Sequence, residues 1–353
     1  MKKTKTRSLT LLVPGLFGPA LPQGRAPLWE TMSSPDLQRF LTRAQRVNEG
    51  GQDMERSLFA LFGAPLNDER DAPVAAVTRL WDKHDAGGFY WLRADPVQVR
   101  ADRDRVVMLG NTRLDIAADE SLQLVNELNG LFREEGWELE AANARRWYLR
   151  LHGDPQLRTT PLGEVVGQDL LPAMPQGPNA RRWRSLLNEV QMMLHASAVN
   201  QAREQRGAPA VNSVWFWGGG VLPSVPRGVW SQVWSNEALA TGLAAMTDVP
   251  HSSLPADAAE CLEDETPGAH LVVLDGGREA AQGADVEVWQ RFVHGVQDAW
   301  LTPLYRAVQQ GRVESLTLHL AKSGSFMLDR RAARRWWLRR RPMATWCGDN
   351  SLR

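Results

Sequence analysis

The sequence predicts an α/β fold, a mainly parallel β-sheet flanked by helices. Strand-like segments alternate with amphipathic helices along the chain, which is typical of a parallel sheet with helices on both faces. Residues 270–274 form a continuous apolar run, as expected for a central parallel strand. Of the 353 residues, 43% are hydrophobic and 23% are charged. This ordinary globular composition excludes a disordered tail, a fibrous protein and a small disulfide-stapled module.

The elements follow from local patterning. Strands are predicted at 9–13, 90–93, 105–109, 137–139, 147–149, 211–217, 270–274 and 316–320. Helices are predicted over 37–44, 54–62, 72–81, 121–135, 182–199 and 286–308, where apolar residues recur every three or four positions. A polar turn is expected over 94–104, and the proline-rich stretch 154–179 is expected to be a loop.

These elements predict a single α/β domain over 1–353, with a smaller inserted segment at 85–160 and a basic Arg/Trp segment at 330–353. Lys2, Lys3 and Lys5 precede the first strand, and Pro14 breaks the apolar run that follows, which indicates a basic cap on a buried strand rather than an export signal. Two cysteines are too few for a disulfide framework. The expected location is therefore the cytoplasm.

Charge and motif spacing exclude several functions. Lys plus Arg and Asp plus Glu number 41 each, so no global field draws the molecule to nucleic acid. The seven histidines show no metal-ligand spacing, and the sequence has no G-x-S-x-G turn to raise a nucleophilic serine.

Gly218, Gly219 and Gly220 follow a strand, so their amides could bind an anion. The alternative is that these glycines permit close backbone approach beside a tryptophan ring.

The C-terminal segment is rich in arginine and tryptophan. Its arginines surround two tryptophans: Arg330, Arg331, Arg334, Arg335, Arg339, Arg340, Arg341, with Trp336 and Trp337. Such a set can hold phosphates and stack bases, or lie on an anionic membrane surface. The alternative is a solvated face, with an acidic stretch at 260–265 that could neutralise it.

Residues 186–223 carry a recognisable pattern. A helix that carries polar residues leads into an aromatic strand and a glycine run. The residues of this pattern are His195, Asn200, Arg203, Asn212, Trp215, Phe216, Trp217, Gly218 and Gly220. Over about 160–225 this resembles the helix–strand–glycine segment of the cofactor-independent, archaeal-type phosphoglycerate mutases of the alkaline phosphatase superfamily. Nearly the whole chain resembles the bacterial RpfE-type regulatory proteins. The resemblance implies an alkaline phosphatase-like core.

The resemblance also implies a site, from which this sequence departs. Superfamily enzymes use two divalent cations and a Ser or Thr nucleophile. Where the family has its first aspartate this chain has Pro14 and Gly15. The residues nearest to the nucleophile position are Asp53 and Met54, with Ser57 one helical turn further on. Asp275 and Glu279 stand where an Asp and a His are expected. The last expected pair is replaced by His319 with Lys322 near it.

We therefore expect the fold to be kept and the two-metal chemistry lost, because few carboxylates remain and Lys322 would repel a cation. The predicted function is a non-catalytic regulatory or anionic-ligand-binding protein that needs no cofactor and binds an anionic small molecule. Its ligand-binding residues are predicted to be Gly218, Gly219, Gly220, Asn212, Arg203, Asp275 and Lys322.

Two alternatives stay open. The first is a Mn- or Mg-dependent phosphoglycerate mutase or phosphatase, with Ser57 and Asp53 catalytic and the metal held by Asp275, Glu279 and His319. The second is a module that binds nucleic acid or an anionic membrane through Arg330 to Arg341.

Overall fold

The computed structural model describes residues 7–19, 26–48, 50–85, 87–103 and 105–347. The N-terminal lysines and residues 348–353 of the predicted Arg/Trp segment lie outside these ranges. The chain divides into two compact units. Unit 1 holds the residues up to 63 and those from 225 onward, and unit 2 holds residues 64–224. The insertion is thus longer at both ends than the predicted 85–160, and it is a second compact unit rather than a segment of a single domain.

The secondary structure is as follows. The strands are β1 (Arg7–Leu12), β2 (Gln45–Asn48), β3 (Tyr90–Asp102), β4 (Arg105–Gly110), β5 (Glu138–Asn143), β6 (Arg146–Leu151), β7 (Ser213–Gly220), β8 (Gln232–Trp234), β9 (His251–Ser252), β10 (Gly268–Val273), β11 (Ser315–His319) and β12 (Ser325–Asp329). The α-helices are α1 (Ala26–Glu30), α2 (Pro35–Arg43), α3 (Met54–Leu61), α4 (Val74–Lys83), α5 (Ala118–Glu134), α6 (Leu162–Val165), α7 (Ala180–Ala196), α8 (Ala198–Gln205), α9 (Ala238–Met246), α10 (Ala258–Glu263), α11 (Arg278–Gln282), α12 (Val286–Gly295), α13 (Thr302–Gln310), α14 (Arg330–Ala333) and α15 (Ala344–Cys347). Single turns of 3₁₀-helix lie at Leu171–Ala173 and Ala321–Ser323, and a π-helix spans Val296–Leu301.

Unit 1 contains the parallel sheet that the sequence predicts. Its strand order is β2-β12-β11-β1-β10-β8-β9. The neighbouring strands β11, β1, β10, β8 and β9 are parallel to one another. At the other edge, β12 runs antiparallel to both of its neighbours, β11 and β2. Leu11 and Val272, neighbours in the central strands, are fully buried, and helices pack against the same core. The mixed α/β fold with a mostly parallel sheet is confirmed for this unit.

Unit 2 contains an antiparallel sheet in the order β4-β3-β6-β5, with β7 also pairing with β3. The prediction of one mainly parallel sheet, with strand 211–217 in it, was wrong for this part of the chain. The predicted polar turn at 94–104 was also wrong over 94–102, because β3 continues through it. Asp95 can lie buried in this strand because Arg93 pairs with its carboxylate at 2.8 Å and Trp217 Nε1 donates to it at 2.8 Å.

The predicted long helix at 286–308 forms, but the π-helix Val296–Leu301 interrupts it between α12 and α13. Pro303, in the first turn of α13, has no backbone N–H to donate to the preceding turn, which favours a local change of helix pitch. Short π segments inside α-helices frequently mark functional sites.

In the described part of the chain, none of the helices combines the length and the apolar character that crossing a membrane requires.

Candidate functional site

The loops at the carboxyl ends of the parallel strands form the candidate site of unit 1. Residues 14–17 follow β1, residues 235–237 follow β8, residues 274–277 follow β10 and residues 320–323 follow β11. In open α/β sheets, ligands bind at this edge. Asp275 follows β10 and Lys322 follows β11, so both lie in loops at this edge, together with groups that the sequence analysis did not single out.

A buried ion pair lies at this edge. Arg278, which begins α11, donates to both carboxylate oxygens of Glu55, with Nη1–Oε1 and Nη2–Oε2 distances of 2.7 and 2.8 Å. The side chains of Arg278 and Glu55 are 14% and 6% exposed. A bidentate pair of this kind satisfies the guanidinium with a carboxylate of the protein itself. The cation that could have met a phosphoryl group is already bound.

Two further carboxyl groups lie near this pair. Glu237 accepts a hydrogen bond from the amide of Ala240 at 2.8 Å and so caps α9. Burial raises the pKa of Glu237 to about 7, and the nearby carboxylates of Asp275 and Glu55 add to the rise. Burial also raises the pKa of Asp275, against the opposing charge of Arg278. The edge is acidic and holds a carboxyl group that exchanges its proton near neutral pH.

Ser57 and Asp53, the alternative catalytic residues, lie on α3. Asp53 caps the helix, and its Oδ1 accepts from the amide of Arg56 at 2.7 Å. The hydroxyl of Ser57 is fully buried and has no hydrogen-bond partner among the described residues. A serine nucleophile is activated by a base within hydrogen-bonding distance or by a coordinated metal ion. None of the described side chains provides a base that is hydrogen-bonded to Ser57.

The alternative metal ligands Asp275, Glu279 and His319 do not form a metal site. Across the described residues, no group of three or more His, Cys, Asp and Glu side chains is placed to hold a metal ion. His319 Nδ1 accepts from the amide of Ala321 at 3.1 Å, and burial lowers the pKa of His319 to about 4. The neutral ring therefore carries its proton on Nε2, which leaves neither nitrogen with a lone pair for a metal.

An open cavity of about 310 Å³ borders Asp275. Its walls are mainly apolar and include Leu254, Phe292, Val296 and Trp300. The π-helix thus supplies part of the lining. A cavity with apolar walls and one carboxyl group suits a small molecule that donates a hydrogen bond better than it suits an anion.

The glycine run belongs to unit 2, where its amides already bind groups of the protein. Gly218 N donates to Thr159 Oγ1 at 3.1 Å, and Gly219 N donates to Asp71 Oδ2 at 3.4 Å. The Thr159 amide also donates to Asp71 Oδ1 at 2.9 Å. One amide of the run does bind an anion, but that anion is the carboxylate of Asp71.

The glycines also allow the close backbone approach that the sequence analysis gave as the alternative. A Cβ on Gly220 would lie 2.5 Å from Pro73 Cβ, and one on Gly218, where φ is +65°, would lie 2.9 Å from Val74 Cβ. The close neighbour is the start of α4 rather than a tryptophan ring.

Arg203 and Asn212 also have structural bonds in unit 2. Arg203 is fully buried, and its guanidinium donates to Glu120 at 2.5 Å and to the carbonyl oxygens of Leu114 and Pro209. The Asn212 side chain both donates to and accepts from the backbone of Val99, at 2.8 Å in each case. These bonds take up the groups that the sequence analysis assigned to a ligand.

Sequence reasoning missed Glu55, Glu237 and Arg278. Arg278 does follow the strand that carries Asp275 along the chain, so its position just after Gly277 was a usable signal. Glu55 lies in the first turn of α3 and Glu237 caps α9, both in segments with no motif, and only the packing of α3 and α9 brings them to the edge.

Sequence comparisons find distant relatives, and no family model matches the chain. A probable 2,3-bisphosphoglycerate-independent phosphoglycerate mutase of Geobacter sulfurreducens is 24% identical over 132 residues, which are 37% of this chain and 33% of the mutase. The 2,3-bisphosphoglycerate-independent phosphoglycerate mutase of Methanothrix thermoacetophila is 29% identical over 68 residues, 19% of this chain and 17% of that protein. The chain thus matches a third or less of the length of these curated relatives.

Comparison with solved structures concerns the fold of most of the chain. The PH0037 protein from Pyrococcus horikoshii aligns over 92% of this chain and 86% of its own, with a TM-score of 0.51 and 13% identity. A cofactor-independent phosphoglycerate mutase from Thermoplasma acidophilum aligns over 92% and 89%, with a TM-score of 0.46 and 14% identity. The PH0037 alignment shows a shared fold, and the sequence matches show a resemblance to the cofactor-independent phosphoglycerate mutases.

The comparisons correct one prediction. The sequence analysis predicted that the protein needs no cofactor, and this prediction was wrong. The relatives are 2,3-bisphosphoglycerate-independent phosphoglycerate mutases, the kind of enzyme for which the resemblance implies divalent cations. The described residues themselves do not provide a ligand set that fits such ions, as shown above for Asp275, Glu279 and His319.

Proposed function

We propose that this protein is a phosphoglycerate mutase-like protein with a regulatory, non-catalytic role, as in the RpfE-type proteins that its sequence resembles. The observation that carries the proposal is that several groups able to bind a phosphoryl group are already bound by other side chains of the protein. Glu55 binds the guanidinium of Arg278, and Asp53 caps the amide end of α3. Asp71 and Thr159 bind the amides of the glycine run.

The charge at the sheet edge supports the same proposal. Glu55 and Asp275 lie near Arg278, and Glu237 lies near both of these carboxyl groups. A phosphate ester would meet three carboxyl groups there and an arginine that Glu55 already binds. A role that depends on catalysis or on anion binding at this edge is therefore disfavoured, whereas a role through other surfaces is unaffected.

The test is turnover of 3-phosphoglycerate and of a chromogenic phosphate ester, each with and without added Mn²⁺. The Geobacter mutase serves as the positive control for the assay. We expect turnover at the background rate, equal for the wild type and for Ser57→Ala. Turnover that exceeds background and is lost in Ser57→Ala overturns the proposal.

The second candidate function is a phosphatase or mutase that uses Ser57. The unpartnered hydroxyl in the interior favours it, because a buried polar atom without a hydrogen bond costs about 1–3 kcal/mol and usually has a reason. Because the Ser57 hydroxyl has no hydrogen bond to lose among the described residues, Ser57→Ala should raise the free energy of unfolding slightly or leave it unchanged. Turnover that the wild type shows and that Ser57→Ala abolishes without a loss of stability is the signature of this candidate.

A further inference from the structure

An exposed loop in unit 1 carries the arginines and tryptophans of the C-terminal segment. We call residues 334–342, between α14 and α15, the Arg/Trp loop. Trp336 is 80% exposed and Trp337 63% exposed, and Leu338 beside them is 37% exposed. Trp336 is the most exposed large hydrophobic side chain in the described part of the chain. Neighbouring exposed apolar side chains of this size usually mark an interaction site.

The loop is held firmly at both ends. Ala333 before it and Met343 after it are buried in the hydrophobic core of unit 1. The Arg341 amide donates to Thr42 Oγ1 at 3.1 Å, and the Arg334 guanidinium donates to the carbonyl oxygen of Gln309 at 3.2 Å. A loop anchored in this way loses little conformational entropy when its tip binds a partner.

The positive charge around the loop is not neutralised by the fold. Among the described residues, no carboxylate forms an ion pair with any of seven arginines: Arg330, Arg331, Arg334, Arg335, Arg339, Arg340 and Arg341. The nearest acidic residue in sequence, Asp329, caps α14 by accepting from Ala332 N at 2.7 Å. The acidic stretch expected to neutralise the segment acts elsewhere, since Asp264 and Glu265 attract Arg7. The loop therefore presents a positive surface to an anionic partner.

The ring geometry distinguishes between two anionic partners. The rings of Trp336 and Trp337 lie edge to face, with centroids 6.2 Å apart and planes at 84°. Successive bases of a single strand stack on aromatic faces that follow the strand, which two perpendicular neighbouring rings do not offer. Tryptophan is, by contrast, enriched at membrane interfaces, and arginines there are drawn to anionic headgroups. The sequence Trp336-Trp337-Leu338, between two groups of arginines, therefore fits a membrane interface better than a single nucleic-acid strand.

We propose that the Arg/Trp loop docks the protein on an anionic phospholipid surface, with Trp336, Trp337 and Leu338 in the headgroup region and the flanking arginines against the lipid phosphates. This interaction is independent of the sheet edge and goes beyond the regulatory role proposed above. It places the protein at a membrane surface.

The experiment is co-sedimentation of the full chain with vesicles of phosphatidylcholine alone or of phosphatidylcholine and phosphatidylglycerol at 3:1. We expect binding to the anionic vesicles at least tenfold tighter than to the neutral ones. Raising the salt concentration should weaken binding without abolishing it, because the arginine contribution is screened and the tryptophan contribution is not.

Two variants of the loop test the two contributions. Arg339→Ala/Arg340→Ala/Arg341→Ala should weaken binding tenfold or more at low salt, and Trp336→Ala/Trp337→Ala should do so at both salt concentrations. The matched controls remove exposed residues of unit 2: Arg113→Ala/Arg133→Ala/Arg181→Ala for charge and Leu171→Ala/Met192→Ala for apolar surface. Each control should change binding less than twofold. Unchanged melting temperatures are expected because all these side chains are exposed.

Three results would overturn the proposal. The first is equal binding to anionic and neutral vesicles, or none to either. The second is an equal loss of binding in the loop variants and their controls. The third is binding of a 20-nucleotide oligo-dT through the same loop residues that is tighter than vesicle binding, which would assign the loop to single-stranded nucleic acid instead.

Discussion

The two units treat their buried carboxylates differently. In unit 2, Asp95 pairs with Arg93 at 2.8 Å, Glu120 pairs with Arg203 at 2.5 Å and Asp82 pairs with Arg146 at 2.5 Å. At the sheet edge of unit 1, Glu55 has such a partner in Arg278, whereas burial raises the pKa values of Glu237 and Asp275.

The difference separates structural charge from charge available to a ligand. A carboxylate matched by a guanidinium inside a sheet fixes the packing and has little capacity to respond to its surroundings. Burial raises the pKa of Asp95 in unit 2 as well, but there Arg93 donates to the carboxylate. The pKa of Glu237 is raised to about 7, so this carboxyl group changes its protonation near neutral pH, as groups at functional sites often do. The comparison therefore identifies Glu237 as a responsive group at the edge of the parallel sheet.

The largest expected effect is in unit 2. Arg93→Met leaves the fully buried carboxylate of Asp95 without its cation, which should lower the free energy of unfolding by about 3–5 kcal/mol. Urea unfolding followed by circular dichroism measures it. The double variant Arg93→Met/Asp95→Asn should recover part of the loss, because no charge is then left unpaired. A loss below about 1 kcal/mol would contradict a structural role for the pair.

A smaller effect is expected from the ion pair in unit 1. Arg278→Met should lower the free energy of unfolding by about 1.5–3 kcal/mol, because Glu55 loses a charged hydrogen-bond donor but this pair is more exposed to solvent than the Arg93–Asp95 pair. The control is Arg291→Met on the exposed face of α12, with an effect within about 0.5 kcal/mol. A cost equal to that of Arg93→Met would remove the distinction between the two regions.

The smallest effect is the pH dependence contributed by Glu237. Its folded pKa of about 7 lies above its ordinary value, so the folded state holds the proton more tightly. The free energy of unfolding should therefore fall as pH rises from about 4.5 to 7, and remain lower above pH 7. Glu237→Gln should remove this fall and be more stable than the wild type at pH 8 by on the order of 1–2 kcal/mol.

Unfolding curves at pH 4.5 and pH 8 measure the Glu237 effect. The exposed Glu287→Gln on α12 serves as the control and should leave the difference between the two pH values unchanged. A Glu237→Gln variant with the wild-type pH dependence would show that another group, such as Asp275, takes up the proton at this edge instead of Glu237.

Much of the fold could be predicted because its signals are local. The apolar run at 270–274 and the helical spacing at 121–135 each depend on neighbouring residues, and both elements form, as β10 and α5. The strands β8 and β12 and the helix α9 were missed. They are short or uniformly apolar, so periodicity does not distinguish them.

The candidate site was less predictable because its parts come from distant segments. Asp275 and Lys322 could be placed at one edge from the order of the strands. The glycine run Gly218 to Gly220 was assigned to the same edge because the strand before it was taken as a member of the parallel sheet. The antiparallel pairing of β7 with β3 separates the run from that edge.

By itself, the sequence determined the helices and strands that have a clear apolar period or run, the resemblance to the cofactor-independent phosphoglycerate mutases, and the excess of arginine around Trp336 and Trp337. Periodicity and composition act between residues close in the chain, and this makes them readable without a structure. Only the tertiary structure decided which charges are matched. Whether a carboxylate meets a guanidinium depends on contacts between segments far apart in the chain, such as Glu55 with Arg278 and Glu120 with Arg203.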